Sequence, residues 1–168
     1  MNELIREYIF GRNIDDVILT GFVIEGDESG EFIPDLTLIF FRAGGRLFAC
    51  ESVRQFSALR LTFPEELFYN KVDDDVKYGK ISVGNLIGIV DHSVNNIVRE
   101  IRIYNPEECN DEIICGALLF IFNDGRKLFL DPSRHFGIRI GGSEAYEEWL
   151  LNKYSAGGER LNINVIEK

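Results

Sequence analysis

An internal recurrence constrains this chain more than any other feature. Gly45, Arg46, Arg54 and Phe56 return as Gly125, Arg126, Arg134 and Phe136, eighty residues later in each case, and Glu51 is matched by Asp131. An aromatic-rich run precedes each set (Leu38-Ile39-Phe40-Phe41 and Leu118-Leu119-Phe120-Ile121-Phe122), and alternating Leu59-Arg60-Leu61 or Ile138-Arg139-Ile140 follows it. A unit of hairpin, turn, strand and helical segment cannot bury its own apolar face, so two copies around one core are expected. The predicted fold class is α+β: mostly antiparallel β-sheet from two related halves, about residues 12–70 and 80–155, with an N-terminal and a C-terminal packing helix. The chain of 168 residues is long enough for a single domain with one substantial core. Positions that recur by structural role are usually turn glycines and core aromatics, so Phe56 and Phe136, with Trp149, are expected inside.

Residue patterns set the predicted elements. Asn2 suits the cap of a short helix carrying Leu4, Ile5, Tyr8 and Ile9 on one side, and Gly11 suits its end. Strands are predicted at 16–24 and 35–41 around a charged turn, at 46–51 after Ala43-Gly44-Gly45, and at 59–63. Pro64 followed by Glu65 and Glu66 reads as the start of a helical turn, and residues 70–80 as the link between halves. Further strands are expected at 81–90, 97–104, 113–122, 127–131 and 137–140, with an acidic loop at 106–112 and a hairpin turn at Asn123-Asp124-Gly125. Ser143 suits the cap of the strongest helix, 144–154, and 161–165 alternates as a final strand.

Eighteen basic residues against twenty-eight acidic ones give a formal charge of −10. That field repels phosphate backbones and anionic membranes, and it speeds encounter with a basic partner. No run approaches the ~20 apolar residues of a membrane span, and the first residues lack a basic stretch followed by an apolar one. Cys50, Cys109 and Cys115 cannot all pair within one chain, and Cys50 lies in an apolar strand pattern. A reducing cytoplasm with three free thiols is expected.

Catalytic and ligand motifs are sparse. His135 follows Arg134 near Asp131, a pairing that resembles a carboxylate-oriented base, and Ser133 and Cys50 are the accompanying nucleophile candidates. The equivalent of His135 in the first half is Gln55, and no nucleophile elbow accompanies it. Cys109 and Cys115 lack the short paired spacing of a zinc site, and His92 has no partner at three to five residues. Neither a phosphate-cradling Gly-rich loop nor a calcium-loop pattern is present, so no metal and no cofactor is expected.

The phrase Asn123-Asp124-Gly125-Arg126-Lys127-Leu128-Phe129-Leu130-Asp131-Pro132, followed by Phe136-Gly137-Ile138, is similar to the end of several families of immunity proteins from bacterial polymorphic-toxin and contact-dependent inhibition systems. The whole chain resembles them in size, acidity and β-rich layout. That resemblance implies a non-catalytic protein that neutralises a toxin by direct binding. The alternatives are a regulatory or structural interaction module, and a small hydrolase using His135 and Asp131. Like charges concentrate in the segments carrying Asp73, Asp74 and Asp75, and Glu107, Glu108, Asp111 and Glu112. These residues are the expected partner-binding surface, facing a basic patch on a protein partner.

Overall fold

The computed structural model describes residues 2–25, 29–70, 76–86, 95–109, 112–134, 136–155 and 161–167. Its elements, in order, are α1 (Asn2–Tyr8), β1 (Ile14–Glu25), β2 (Gly30–Ala43), β3 (Arg46–Val53), β4 (Ala58–Thr62), β5 (Lys77–Ser82) and β6 (Val98–Tyr104). They continue with β7 (Glu107–Cys109), β8 (Glu112–Cys115), β9 (Ala117–Phe122), β10 (Lys127–Arg134), β11 (Gly137–Gly141), α2 (Ser143–Ser155) and β12 (Ile163–Ile166). Two antiparallel sheets result. One has seven strands in the order β5-β1-β2-β3-β4-β8-β7, and the other has five in the order β11-β10-β9-β6-β12.

Alternation along each strand explains how the sheets pack. Val17 and Leu19 of β1, Ile39 and Phe41 of β2, and Leu59 and Leu61 of β4 share one buried cluster with Ile101, Ile103, Leu118, Phe120, Leu128 and Leu130 of the other sheet. Phe41 stacks on Phe48 with centroids 4.8 Å apart, and Phe120 meets Phe48 at 5.8 Å across the interface. Ile5 of helix α1 and Ile9 just after it belong to the same cluster. The opposite faces are covered separately. Tyr104, Leu119, Ile121 and Phe129 lie under Ala145, Tyr146 and Trp149 of α2, while Ile18, Leu38, Phe40 and Ala49 lie under Leu67.

One hairpin joins the two sheets. Tyr104 faces Ala117 and Glu107 faces Ile114, so a single register runs from β6–β9 into β7–β8. Asn105 (φ 48°) and Gly116 interrupt it, and the outer arm turns away to pair β8 with β4, Leu59 opposite Cys115. The expected strand at 113–122 is therefore two strands, and the expected acidic loop at 106–112 contains most of a hairpin. Sequence pattern misses this because β8 and β9 read as one apolar run and the glutamates of β7 read as a loop, while the break rests on two residues.

Other expectations also need correction. Residues 64–68 form no helix. Leu67 packs on the outer face of the seven-stranded sheet and Phe68 meets Phe40 edge-on at 5.0 Å, so tertiary burial overrides a weak local helix signal. The strand predicted at 81–90 is instead Lys77–Ser82, followed by a turn, and residues 87–90 lie outside the described ones. Part of the expected link is thus a sheet strand, pairing Ile81 with Leu19. Among the described residues no helix is long and apolar enough to cross a membrane.

Candidate functional site

The second strand was expected to begin at Asp35, after Pro34, but β2 runs straight through that proline. Leu19 faces Ile39 and Gly21 faces Pro34, so the single residue Thr20 stands against the four residues from Asp35 to Leu38. Such a bulge bends the strand and re-aims its side chains. Two residues make it affordable in steric terms: Pro34 has no N–H to offer a ladder, and a Cβ on Gly21 would lie 2.1 Å from the Ile33 carbonyl oxygen. Asp35 closes the extra loop. Its Oδ1 accepts hydrogen bonds from the Thr37 N–H at 2.8 Å and the Thr37 hydroxyl at 2.5 Å.

The bulge opens a cleft of about 350 Å³. Thr20, Gly21 and Phe22 form its floor from β1, Pro34 to Thr37 one side from β2, and Tyr78 joins from β5, directly opposite Phe22. Tyr69 and Asn70 come from the segment after β4; the Tyr69 and Tyr78 rings are 5.3 Å apart. Asn70 Nδ2 donates to Asp35 Oδ2 at 2.9 Å and pins that segment to the bulge. Thr20 is only 1 % exposed, and its hydroxyl finds no hydrogen-bond partner. Among the described residues no lysine or arginine pairs with Asp35, the carboxylate of the cleft.

Phe136 stands at the mouth. It was expected in the core but is 85 % exposed, in the turn between β10 and β11. Gly137 beside it approaches the Leu36 backbone, which carries Phe136 to the cleft from the other sheet. Phe56 is also exposed, at 36 %, because Arg54, Gln55 and Phe56 all take left-handed φ (54°, 57° and 64°) and turn the chain out of the sheet. Trp149 alone of the three is buried, against Tyr104 and Phe129.

The expected acidic surface is only partly visible. Asp73, Asp74, Asp75 and Asp111 lie outside the described residues, and Glu108 is placed by its backbone opposite Ile113. Glu107 receives both terminal nitrogens of Arg54 at 2.7 Å, which holds its carboxyl below the usual value. Glu112 lies 3.5 Å from Arg60, which also reaches Glu51 at 3.5 Å. Among the described side chains, Glu107 and Glu112 do not line the aromatic cleft.

His135 and His92 lie outside the described residues. Asp131 is buried and accepts from the Ser133 N–H at 3.0 Å and the Ser133 hydroxyl at 2.6 Å. Cys50 and Cys115 are free and buried. Desolvation raises the Cys50 thiol well above its ordinary value and pushes Cys115 up to about 12, which leaves neither as a ready thiolate. Among the described residues no three of His, Cys, Asp and Glu converge as a metal site requires.

Sequence reading missed Thr20, Asp35, Tyr69, Tyr78 and Phe136 as a group. One signal was present: a proline inside an apolar run marks an edge or a bulge, and Asp two residues before Thr favours a local turn. The rest depends on contact between β2 and β11, which no local pattern encodes. No protein-family model matches the chain, and no curated protein or solved structure matches it significantly.

Proposed function

We propose that this chain is a non-catalytic protein-binding protein, and that its partner docks at the aromatic cleft. The observation that carries this reading is Phe136, a large aromatic side chain 85 % exposed at the mouth of a concave site walled by Tyr69, Tyr78 and Phe22. Aromatic anchors beside concave apolar surface are what protein partners most often engage. The charge of −10 supports a basic partner. Within this reading the partner is a bacterial toxin, as the resemblance implies, and neutralisation occurs by occlusion in a reducing cytoplasm. Asp73, Asp74, Asp75, Glu107, Glu108, Asp111 and Glu112 act as a steering surface, with Arg54 and Arg60 damping Glu107 and Glu112.

The test places a photo-crosslinking residue at position 136 in the source cell, identifies the adduct, and reconstitutes that pair from purified components. Tight binding by the native chain, lost in Phe136→Asp and accompanied by relief of the partner's toxicity, is the expected result. Undiminished binding by Phe136→Asp overturns the cleft. Turnover of a small molecule by the purified chain favours the hydrolase alternative.

A duplicated origin of the two halves is part of the same reading. Its support is that β1-β2-β3-β4 and β6-β9-β10-β11 have the same antiparallel order, each flanked by the strand that adds beside its first member, β5 or β12. Gly45 and Gly125 occupy the turn between the second and third members of each set, with φ of 81° and 87°.

A further inference from the structure

We infer that the cleft receives the charged side chain of a lysine or arginine from the partner, with Asp35 as counter-charge. This rests on the reading of the cleft as the docking site and specifies its ligand chemistry.

Among the described residues, Asp35 is the single charged one lining the cleft. Both lone-pair positions of its Oδ1 are taken by Thr37, and Asn70 takes one of Oδ2, which among the described residues leaves one position for an incoming N–H. All three donors are neutral, so none of them supplies a counter-charge. Lys80, opposite Thr20 on β5, is exposed and does not line the cleft. The walls suit a cation as well, because the faces of Tyr69, Tyr78, Phe22 and Phe136 carry the negative part of the aromatic quadrupole.

Thr20 supplies a second, independent observation. Its hydroxyl is almost completely buried at the floor of the cleft and has no partner. A buried polar group of this kind costs free energy until a ligand satisfies it. An ammonium or guanidinium brings several donors and no acceptor, which matches a carboxylate and a hydroxyl oxygen. A carboxylate ligand would meet Asp35 as a like charge. A neutral apolar side chain would desolvate Asp35 and Thr20 and satisfy neither. A protein is the source, since exposed Phe136 and the 38 % exposed Leu36 offer apolar contact at the rim that a free amine does not use.

The experiment titrates the isotopically labelled full chain with capped pentapeptides, Gly-Ala-X-Ala-Gly with X lysine, arginine or norleucine, and with n-butylamine. Amide shifts are followed at Gly21, Thr37 and Asn70. Saturable shifts with the lysine or arginine peptide are expected, with norleucine and n-butylamine about tenfold weaker or more, as loss of a charged hydrogen bond or of the rim contacts implies. Asp35→Asn keeps an acceptor for Thr37 and removes the charge, and it should weaken the basic peptides by about tenfold or more. Thr20→Val should weaken them while raising the melting temperature, an outcome that a folding defect cannot imitate. Equal affinity for norleucine, or unchanged affinity in Asp35→Asn, overturns the cation assignment. Equal affinity for n-butylamine overturns the protein source. The two readings fail separately: norleucine matching lysine removes the cation and keeps a docking cleft, whereas a partner that binds Phe136→Asp as tightly as the native chain removes the docking cleft whatever the peptides do.

Discussion

Gly137 lies against the carbonyl of Leu36: a Cβ built on it would sit 2.3 Å from that oxygen, at a φ of 117°. The contact joins β11 of one sheet to β2 of the other at the wall of the cleft. No soft side chain intervenes, since the nearest atoms are the Leu36 backbone and its Cβ.

Gly137→Ala should therefore destabilise the chain by about 2–4 kcal/mol through overpacking and backbone strain together. Gly45→Ala is the comparison, because its φ is 81° but nothing lies within 4 Å of the added carbon. That variant should lose only about 1 kcal/mol, from the left-handed conformation alone. Urea denaturation of both separates the clash from the backbone term.

Trp149 and Phe136 make a second contrast. Trp149 is 5 % exposed, with Tyr104 and Phe129 rings at 5.0 and 5.4 Å, so Trp149→Ala should cost about 3–5 kcal/mol. Phe136→Ala should change stability by less than about 0.5 kcal/mol, as exposed substitutions do, and its effect belongs to partner binding. Thermal melts of the two variants decide the point.

The Tyr104 and Tyr146 hydroxyls form a buried hydrogen bond at 2.8 Å. Burial and this bond raise the Tyr104 hydroxyl's pKa above its ordinary value. Removing either oxygen alone leaves the other underserved and should cost about 1–3 kcal/mol, while the double phenylalanine variant should cost less than the two singles added. A double-mutant cycle in urea measures the difference.

Acid should remove the Arg54–Glu107 pairing. The Glu107 carboxyl is held below its usual value, first by the Arg54 hydrogen bond. A depressed carboxylate contributes stability above its unfolded-state pKa, and the contribution disappears as pH falls through the folded value. Glu107→Gln should then show a melting temperature that declines less steeply on acidification below the ordinary carboxylate range. Both partners are exposed, so about 1 M salt should shrink the difference between the two chains.

Much of the fold was legible because alternation and turn chemistry are local. Asn123-Asp124-Gly125, the Gly44-Gly45 turn and the apolar face of α2 all act within a few residues of themselves. Pro64 misled for the same reason: its helical signal is local, while packing of Leu67 and Phe68 against the sheet is not. Phe136 was misplaced because recurrence with Phe56 was read as shared burial, when both residues share an outward turn. The cleft needed knowledge that β2 carries four residues against Thr20, and register is a property of two strands at once.

The arm that carries β8 across to β4 also sets a timetable for biosynthesis. Strand β4 ends at Thr62, but the neighbour that covers its outer edge begins only at Glu112. At about 5–20 residues per second a ribosome needs roughly 3–10 s to make the intervening stretch. For that interval the nascent chain displays an uncapped strand, Ala58–Thr62, whose Leu59 and Leu61 are destined for the core. Slowed elongation between these points would lengthen the window in which two nascent chains on one message can pair edge to edge, so translation speed over this stretch bears directly on the yield of folded protein.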